Sequence, residues 1–278
     1  MNLVEKLLTE IANSHKHIVI IGDTMVDRWV HGHLAECQDG CPKFVQESVV
    51  EVPGGAANAE RCLSGWNVRT SLYGFATNDG PVKTRYVEGG KIVFRADDDR
   101  PSDRGTKYEW ARKLASEMVG CAAGVLLSDY DKGFLTPEFI REVAELCKKR
   151  SIPCVADCKR APEVYEGCVL KGNSAWDDKY GDGKIRRDVL EVITLGECVP
   201  QVNGELLLDF PSLPLIKCVN HVGAGDCFAA HLTLALSYGF SLKESAALAH
   251  SAGRVYVQHP HNKPPTPTEI AADIGGAV

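Results

Sequence analysis

The sequence predicts an α/β fold with a mainly parallel central sheet, for three reasons. The chain has 278 residues, which is enough for one large α/β domain with an ample core. Residues 17–22 form a continuous apolar run that ends in glycine, as expected of a strand buried on both faces of a parallel sheet. Further strand-like runs lie at 124–128 and 152–157, and a helical pattern lies between them at 136–150.

Composition and charge exclude several classes of protein. With 44% hydrophobic and 24% charged residues, the chain is typical of a globular protein. Its net charge of -6 argues against a nucleic-acid surface, and no apolar run is long enough to span a membrane. Residues 1–14 have helical spacing and lack the features of a signal peptide, so we expect a cytoplasmic location.

The eleven cysteines are scattered and odd in number, which favours reduced thiols over a disulfide framework. One group stands apart, because it combines two histidines with two cysteines. Zinc accepts these ligand types, but their spacing matches no common zinc finger. A zinc site at this group therefore stays open as an alternative to ordinary polar residues: His31, His33, Cys37 and Cys41.

The most informative stretch is Gly223-Ala224-Gly225-Asp226, which precedes an apolar helical segment. The first N–H groups of a helix have no partner within it, and the helix dipole adds positive charge there, so phosphate oxygens bind well. Gly223 and Gly225 let the backbone approach such a guest closely. Asp226 would then accept the proton of a hydroxyl that attacks the phosphate. The alternative is an ordinary N-cap of a core helix.

This stretch resembles the GAGD signature of the ribokinase-like (pfkB) carbohydrate kinases, and three other segments resemble the same family in the same order. The resemblance implies a three-layer α/β/α sandwich with a small β lid. It implies a single kinase domain over 1–278, with lid segments inserted at about 28–52 and 82–98. It also implies ATP and Mg²⁺ as cofactors, and a lid that can pair with a second subunit.

The first of these segments is residues 22–28, which are similar to the first strand of bacterial heptose-phosphate kinases. By this likeness Asp27 would bind substrate hydroxyls, whereas a turn-forming role suits Asp23 better. Residues 53–59 resemble the family signature PGGAANVA, which implies that the substrate lies against Gly54 and Gly55. The amide of Asn58 could both donate to and accept from a sugar hydroxyl. The alternative for the glycines is a tight entry into a helix.

The lid is expected to contain β-prone pieces at 43–52 and a second strand at 91–97. Arg85 and Arg95 could reach a substrate phosphate from it, although arginines on lid strands are also ordinary solvated charges. Compared with the family, an α/β unit is missing before residue 83.

A strand at 124–128 leads into residues 128–133, which resemble the SDYGKG of heptose kinases with Asp131 as the one change. Asp129 and Lys132 are substrate-binding candidates by this likeness. Helices are predicted on both sides of the strand, over 102–119 and 136–150.

The phosphate side of the site departs from the family. Residues 157–159 match its DPK with a cysteine in place of proline, and Lys159 could neutralise phosphate charge. Asn173 fits the NxxE motif that organises magnesium, but Trp176 occupies the glutamate position. Asp177 or Asp178 would have to replace that glutamate as the metal-linked carboxylate.

Two further segments concern the nucleotide. Thr194 and Gly196 match the family's TxGxxG, although Val199 stands where the last glycine is expected. By resemblance, the last long helix and the loop after it border the adenine, which makes His250 and Asn262 candidates for nucleotide binding. An Asn-Gly pair at 203–204 predicts a hairpin, and a capping box begins a helix at residue 241.

The sequence thus predicts an ATP- and Mg²⁺-dependent kinase for a sugar or sugar phosphate, similar to D-glycero-D-manno-heptose 7-phosphate 1-kinases. We expect the kinase half alone, since no adenylyltransferase half follows residue 278. The main alternative is a non-catalytic sugar- or nucleotide-binding protein of the same fold. Neither a GxGxxG after the first strand nor a P-loop is present, which argues against a dehydrogenase and a P-loop kinase.

Overall fold

The computed structural model of the chain describes residues 2–36, 40–76, 79–99, 108–181, 190–208 and 216–275. Its strands are β1 (His17–Gly22), β2 (Thr24–Ala35), β3 (Lys43–Gly55), β4 (Arg69–Tyr73), β5 (Val82–Glu88), β6 (Lys91–Asp98), β7 (Gly124–Ser128), β8 (Cys154–Asp157), β9 (Val169–Asn173), β10 (Glu191–Leu195), β11 (Cys198–Val202) and β12 (Glu205–Leu206). Its α-helices are α1 (Leu3–Asn13), α2 (Ala56–Cys62), α3 (Glu109–Val119), α4 (Pro137–Arg150), α5 (Ser174–Tyr180), α6 (Ala224–Ser237), α7 (Leu242–Tyr256) and α8 (Pro267–Gly275).

Eight strands form the central sheet, in the order β12-β11-β10-β9-β8-β7-β1-β4. The six from β10 to β4 in this order run parallel, and β11 and β12 are added antiparallel at one edge. Every residue of β1 and β7 is buried, which explains why both strands are mostly apolar. The predicted parallel sheet is confirmed.

Helices cover both faces of this sheet. On one face α1, α2, α6, α7 and α8 pack against Ile18, Ile20 and Leu126. On the other face α3, α4 and α5 pack against Val19 and Ile21. Neighbouring residues of one strand thus enter two separate cores, because side chains alternate across a sheet. The result is the three-layer sandwich that the sequence predicted.

The lid is a separate four-stranded sheet in the order β3-β2-β5-β6. Strand β3 is one continuous strand of 13 residues, longer than the two short pieces predicted within it. It ends at Gly55, where α2 begins, so the lid leads directly into the central layers. After β4 the chain reaches lid strand β5 at Val82, and the residues described between them contain no helix.

Several local predictions are confirmed, and others lie outside the described residues. Thr136 caps α4 by accepting from the Phe139 N–H at 3.2 Å, Ser241 forms the predicted capping box with Glu244, and the pair at 203–204 joins β11 to β12. The helix predicted over 102–119 is seen from Glu109, and its first part is outside the described ranges. Within those ranges no helix is long and apolar enough to cross a membrane, and the ten cysteines are free thiols.

Candidate active site

The start of α6 has the geometry of an anion-binding cradle. Gly223 precedes the helix with a φ of 87°, and a Cβ there would come within 2.5 Å of the amide nitrogen of Asn58. Among the described backbone groups, none accepts a hydrogen bond from the N–H of Gly225 or Asp226. These N–H groups and the positive end of the helix dipole can therefore bind phosphate oxygens.

The Asp226 carboxylate lies at this cradle and is only 2% exposed. Its Oδ1 accepts a hydrogen bond from the Tyr130 hydroxyl at 2.5 Å, and its Oδ2 accepts one from the Asn58 amide at 3.0 Å. In the described part of the chain Asp226 makes no ion pair. Asn58 is fully buried and also bonds the Gly223 carbonyl at 3.3 Å, so in this structure it holds Asp226 and the cradle together.

Burial raises the pKa of Asp226 to about 7, and the hydrogen bonds from Tyr130 and Asn58 act in the opposite direction. The nearby carboxylates of Asp157 and Asp27 raise it further. A carboxylate with a pKa near neutral pH is a much stronger proton acceptor than an exposed one. Asp226 therefore has the chemical properties of a general base.

A lysine that the sequence analysis did not select lies beside the cradle. Lys171 on β9 is 4% exposed, and its Nζ lies 3.0 Å from where a Cβ on Gly225 would be. It forms an ion pair with Asp157 Oδ1 at 2.9 Å. A charged residue inside a buried strand was the signal that could have identified it. Lys159, which was selected, has an exposed side chain, and its backbone N–H donates to the Tyr165 hydroxyl at 3.0 Å.

The lid side of the site centres on Asp27, which is 4% exposed. It forms a buried ion pair with Arg85 at 2.7 Å and accepts from the Asn262 amide at 3.1 Å. Asn262 was assigned to the nucleotide, but this contact places it with the lid residue Asp27. A Cβ on Gly54 would come within 2.6 Å of Asp27 Oδ2, so the glycine makes room for that carboxylate. Gly55, with a φ of 58°, forms the tight entry into α2.

Two further cations belong to the lid, and they differ in their partners. Arg95 forms a bidentate pair with Asp97 and is half exposed. Lys83 is partly buried, has no ion-pair partner in the described residues, and lies 4.7 Å from the ring centre of Tyr130. Burial lowers the pKa of Lys83, while the carboxylates of Asp27 and Asp226 act to raise it. Lys83 is thus a cation close to the proposed base.

Two buried aspartates organise the loop after β7. Asp23 accepts from three backbone N–H groups of residues 130–134 at 2.9–3.0 Å, in the turn-forming role suggested for it. Asp129 accepts from the Tyr165 hydroxyl at 2.5 Å and forms an ion pair with Arg160. Protein partners therefore occupy the carboxylate of Asp129, a substrate-binding candidate. Lys132, another candidate, pairs at 2.5 Å with Asp99, the residue after lid strand β6.

The candidates for nucleotide binding are dispersed. Asn173 caps α5 by accepting from the Trp176 N–H at 2.9 Å, and the Thr194 hydroxyl donates to the Gly172 carbonyl at 3.2 Å. Gly196 forms a turn with a φ of 63°. His250 lies on α7, where burial lowers its pKa to about 4. Their roles toward a nucleotide stay predictions.

The metal candidates do not form a cluster. No group of three or more His, Cys, Asp or Glu side chains suited to a metal occurs in the described ranges. Asp177 lies on α5, and Trp176 beside it is buried in the core. His31 instead contacts His261, Nε2 to Nε2, at 3.2 Å. His33 contacts Glu47 at 2.8 Å and Cys41 is an exposed thiol, while Cys37 lies outside the described residues.

The fold and the sequence both match known carbohydrate kinases. Residues 192–269, which include the cradle and Asp226, match the model of the pfkB family carbohydrate kinases. This part of the chain is therefore similar to the pfkB family, and the whole chain has the ribokinase-like fold. The fold is similar to that of a carbohydrate kinase from Agrobacterium tumefaciens, with a TM-score of 0.68 at 18% identity over 94% of this chain and 97% of that one. It is also similar to Arabidopsis thaliana ribokinase complexed with ribose and ATP, with a TM-score of 0.64 at 16% identity over 94% and 99%.

The sequence relatives are bifunctional proteins named HldE. The chain is 26% identical to the bifunctional protein HldE of Hyphomonas neptunium, over 95% of its own length and 63% of the relative. It is 26% identical to HldE of Caulobacter vibrioides over 94% and 64%. The chain thus spans less than two thirds of these relatives. The comparisons thus show the fold of the chain and a likeness to carbohydrate kinases over residues 192–269.

Proposed function

We propose that the chain transfers the γ-phosphoryl group of ATP to a hydroxyl of a sugar or sugar phosphate, with Asp226 as the general base. The observation that carries this proposal is the buried Asp226 carboxylate, which makes no described ion pair, at a glycine-lined helix start. In the reaction, Asp226 takes the proton of the acceptor hydroxyl as its oxygen bonds to the γ-phosphorus. The bond to the β-phosphate oxygen breaks, and ADP leaves with that electron pair.

The cradle and Lys171 would stabilise the phosphates. Negative charge spreads over the phosphoryl oxygens during transfer, and donors fixed in advance are the main source of catalysis in such reactions. The N–H groups of Gly225 and Asp226 and the ammonium of Lys171 meet at this point. They support the placement of the terminal phosphates of ATP at the start of α6.

Magnesium fits this arrangement, because Mg²⁺ is normally held by nucleotide phosphates, water and one or two carboxylates. Asp157 is the carboxylate beside the cradle: its Oδ2 lies 4.0 Å from where a Cβ on Gly225 would be. When bound with ATP, Mg²⁺ would neutralise phosphate charge. Asp157 is a better candidate for this contact than Asp177, which the sequence suggested.

The lid supports an anionic acceptor. Of the three lid cations Lys83, Arg85 and Arg95, the two arginines are already paired, Arg85 with Asp27 and Arg95 with Asp97. Lys83 has no ion-pair partner among the described residues. We therefore assign Lys83, rather than Arg85, to a phosphate of the acceptor, and Asp27 with Asn262 to its hydroxyls. The likeness to heptose-phosphate kinases and the HldE relatives support a heptose 7-phosphate as the first substrate to test.

The lid sheet also supports a homodimer, as the family resemblance implies. Three consecutive apolar residues on strand β6 are exposed: Ile92 (45%), Val93 (39%) and Phe94 (62%). Apolar side chains of this size are normally covered in an assembly when they are adjacent. Light scattering coupled to size exclusion would report a mass of one or two chains.

The test of function is a phosphorylation screen. Purified protein with ATP and Mg²⁺ is offered sugars and their phosphates, and ADP formation is followed by a coupled assay and ³¹P NMR. We expect turnover with at least one sugar phosphate, and a rate lower by roughly 10²-fold or more with the Asp226→Asn variant.

A second candidate function is supported by Trp176, which replaces the glutamate of the NxxE motif and is buried in the core. Without that glutamate the chain could bind nucleotide and sugar without catalysis. Calorimetric titration with ATP, with and without Mg²⁺, separates the two. Binding of ATP without turnover across the whole panel would favour the non-catalytic protein.

A further inference from the structure

The hydroxyl of Tyr130 is held against the proposed base from several sides. It donates to Asp226 Oδ1 at 2.5 Å. The backbone N–H of Tyr130 donates to Asp23 Oδ2 at 2.9 Å, which fixes the start of the loop. The ammonium of Lys83 lies 4.7 Å from the centre of its ring. The position of this hydroxyl is therefore set by the fold before any substrate binds.

In the hydrogen bond between Tyr130 and Asp226, the tyrosine is the donor. Burial raises the pKa of Tyr130 well above its ordinary value, and the charge of Asp226 adds to this. The phenol thus keeps its proton at neutral pH. An ionised carboxylate has only acceptor atoms, so the phenol must be the donor.

We propose that Tyr130 is a positioning residue for Asp226: its hydroxyl fixes Oδ1 and stabilises the anionic carboxylate that can accept a proton. The inference rests on the proposed function of Asp226. Each carboxylate oxygen has two lone pairs, so the donors Tyr130 and Asn58 leave room for the acceptor hydroxyl. Tyr130 therefore acts through Asp226 and need not touch the substrate.

The groups around Asp226 determine what the loss of this donor does. The carboxylates of Asp157 on β8 and Asp27 on β2 disfavour a negative charge on Asp226. Lys83 on β5 is a cation that interacts electrostatically with both Asp27 and Asp226. Tyr130 and Asn58 are the hydrogen-bond donors that favour the anion. Removing one of these two donors moves the Asp226 pKa upward, so that more of the protein carries a protonated, inactive carboxyl at neutral pH.

The experiment compares the wild type with Tyr130→Phe, which keeps the ring and removes the hydroxyl. The rate constant kcat/KM for the best acceptor is measured from about pH 5.5 to about pH 9. In the variant we expect the acidic limb of the kcat/KM profile to move to higher pH by about one unit. On that limb kcat/KM should be about tenfold lower than in the wild type, and at high pH it should return to nearly the wild-type value. Tyr238→Phe is the matched control, because it removes a tyrosine hydroxyl that donates to the Ser14 carbonyl far from the cradle. Its acidic limb should stay in place.

A second measurement does not depend on activity. In protein labelled with ¹³C at aspartate carboxyls, the resonance missing from Asp226→Asn identifies Asp226, and its titration is followed in the wild type and Tyr130→Phe. We expect an upward shift of the Asp226 midpoint in the variant. An equal loss of activity at every pH together with an unmoved midpoint would overturn the proposal, because Tyr130 would then only fill space. If the wild type phosphorylates no sugar, the proposed function fails, and the titration still decides whether Tyr130 controls the carboxylate.

Discussion

Two buried aspartates near the carboxyl edge of the sheet, Asp129 and Asp226, have the same kind of partner in different surroundings. Each accepts a hydrogen bond from a tyrosine hydroxyl at 2.5 Å. Asp129 also forms an ion pair with Arg160, whereas Asp226 has no described ion pair and lies beside the bare N–H groups of α6. The difference separates their tasks: a neutralised carboxylate stabilises the loop, and an uncompensated one is available for proton transfer.

The largest expected effect is on turnover. Replacing Asp226 with asparagine removes the proton acceptor and keeps the size of the side chain, so kcat should fall roughly 10²-fold or more. Steady-state kinetics with the best sugar measures this, and thermal unfolding checks that the variant is folded. An unaltered kcat would remove Asp226 from the role of base.

The next effect concerns stability and tests the other half of the comparison. Asp129→Asn leaves the Arg160 guanidinium without its buried partner, and breaking such a pair costs about 3–5 kcal/mol of unfolding free energy. Urea denaturation measures the loss. The control is Asp131→Asn, which removes the other carboxylate paired with Arg160, one whose side chain is 64% exposed. That variant should lose under about 1 kcal/mol. Equal losses of unfolding free energy in the two variants would contradict the claim that the buried ion pair of Asp129 stabilises the loop more than the exposed one.

A smaller effect distinguishes the two lysines assigned to phosphate. Lys171→Met should lower kcat/KM for ATP by about 10- to 100-fold, because the buried ammonium lies at the cradle. Lys159→Met should change it by a few-fold at most, since that side chain is exposed. Thermal unfolding of Lys171→Met checks that the variant stays folded when Asp157 loses its partner. A larger effect at Lys159 would restore the prediction made from the DPK motif.

Much of the fold could be predicted from the sequence, because apolar runs such as residues 17–22 and glycine-ended motifs are local signals. The cradle is also visible in a short stretch of sequence, since Gly223 and Asp226 are three residues apart. The side chains that contact the cradle come from distant parts of the sequence and could not be predicted in this way. Tyr130 lies in the loop after β7 and Lys171 lies on β9, both far from Asp226 in the sequence. Only the parallel arrangement of β7, β8 and β9 brings them together.

Residue type alone also could not assign tasks within the site. Arg85 was assigned to a substrate phosphate and Asn262 to the nucleotide, whereas both bind Asp27 in this structure. The Asn58 amide, which was predicted to bind a sugar hydroxyl, donates to the Asp226 carboxylate in this structure. A buried polar group needs a partner, and the sequence does not show whether that partner is the substrate or another side chain.

The most direct test of the central claim is the pH dependence of kcat/KM in the wild type. A base must start ionised, and burial raises the pKa of Asp226 to about 7. Activity should therefore rise with pH through about 7 and fall about tenfold for each pH unit below it. Activity that stays constant down to about pH 5 would show that the ionised group has an ordinary carboxylate pKa, and it would contradict the account.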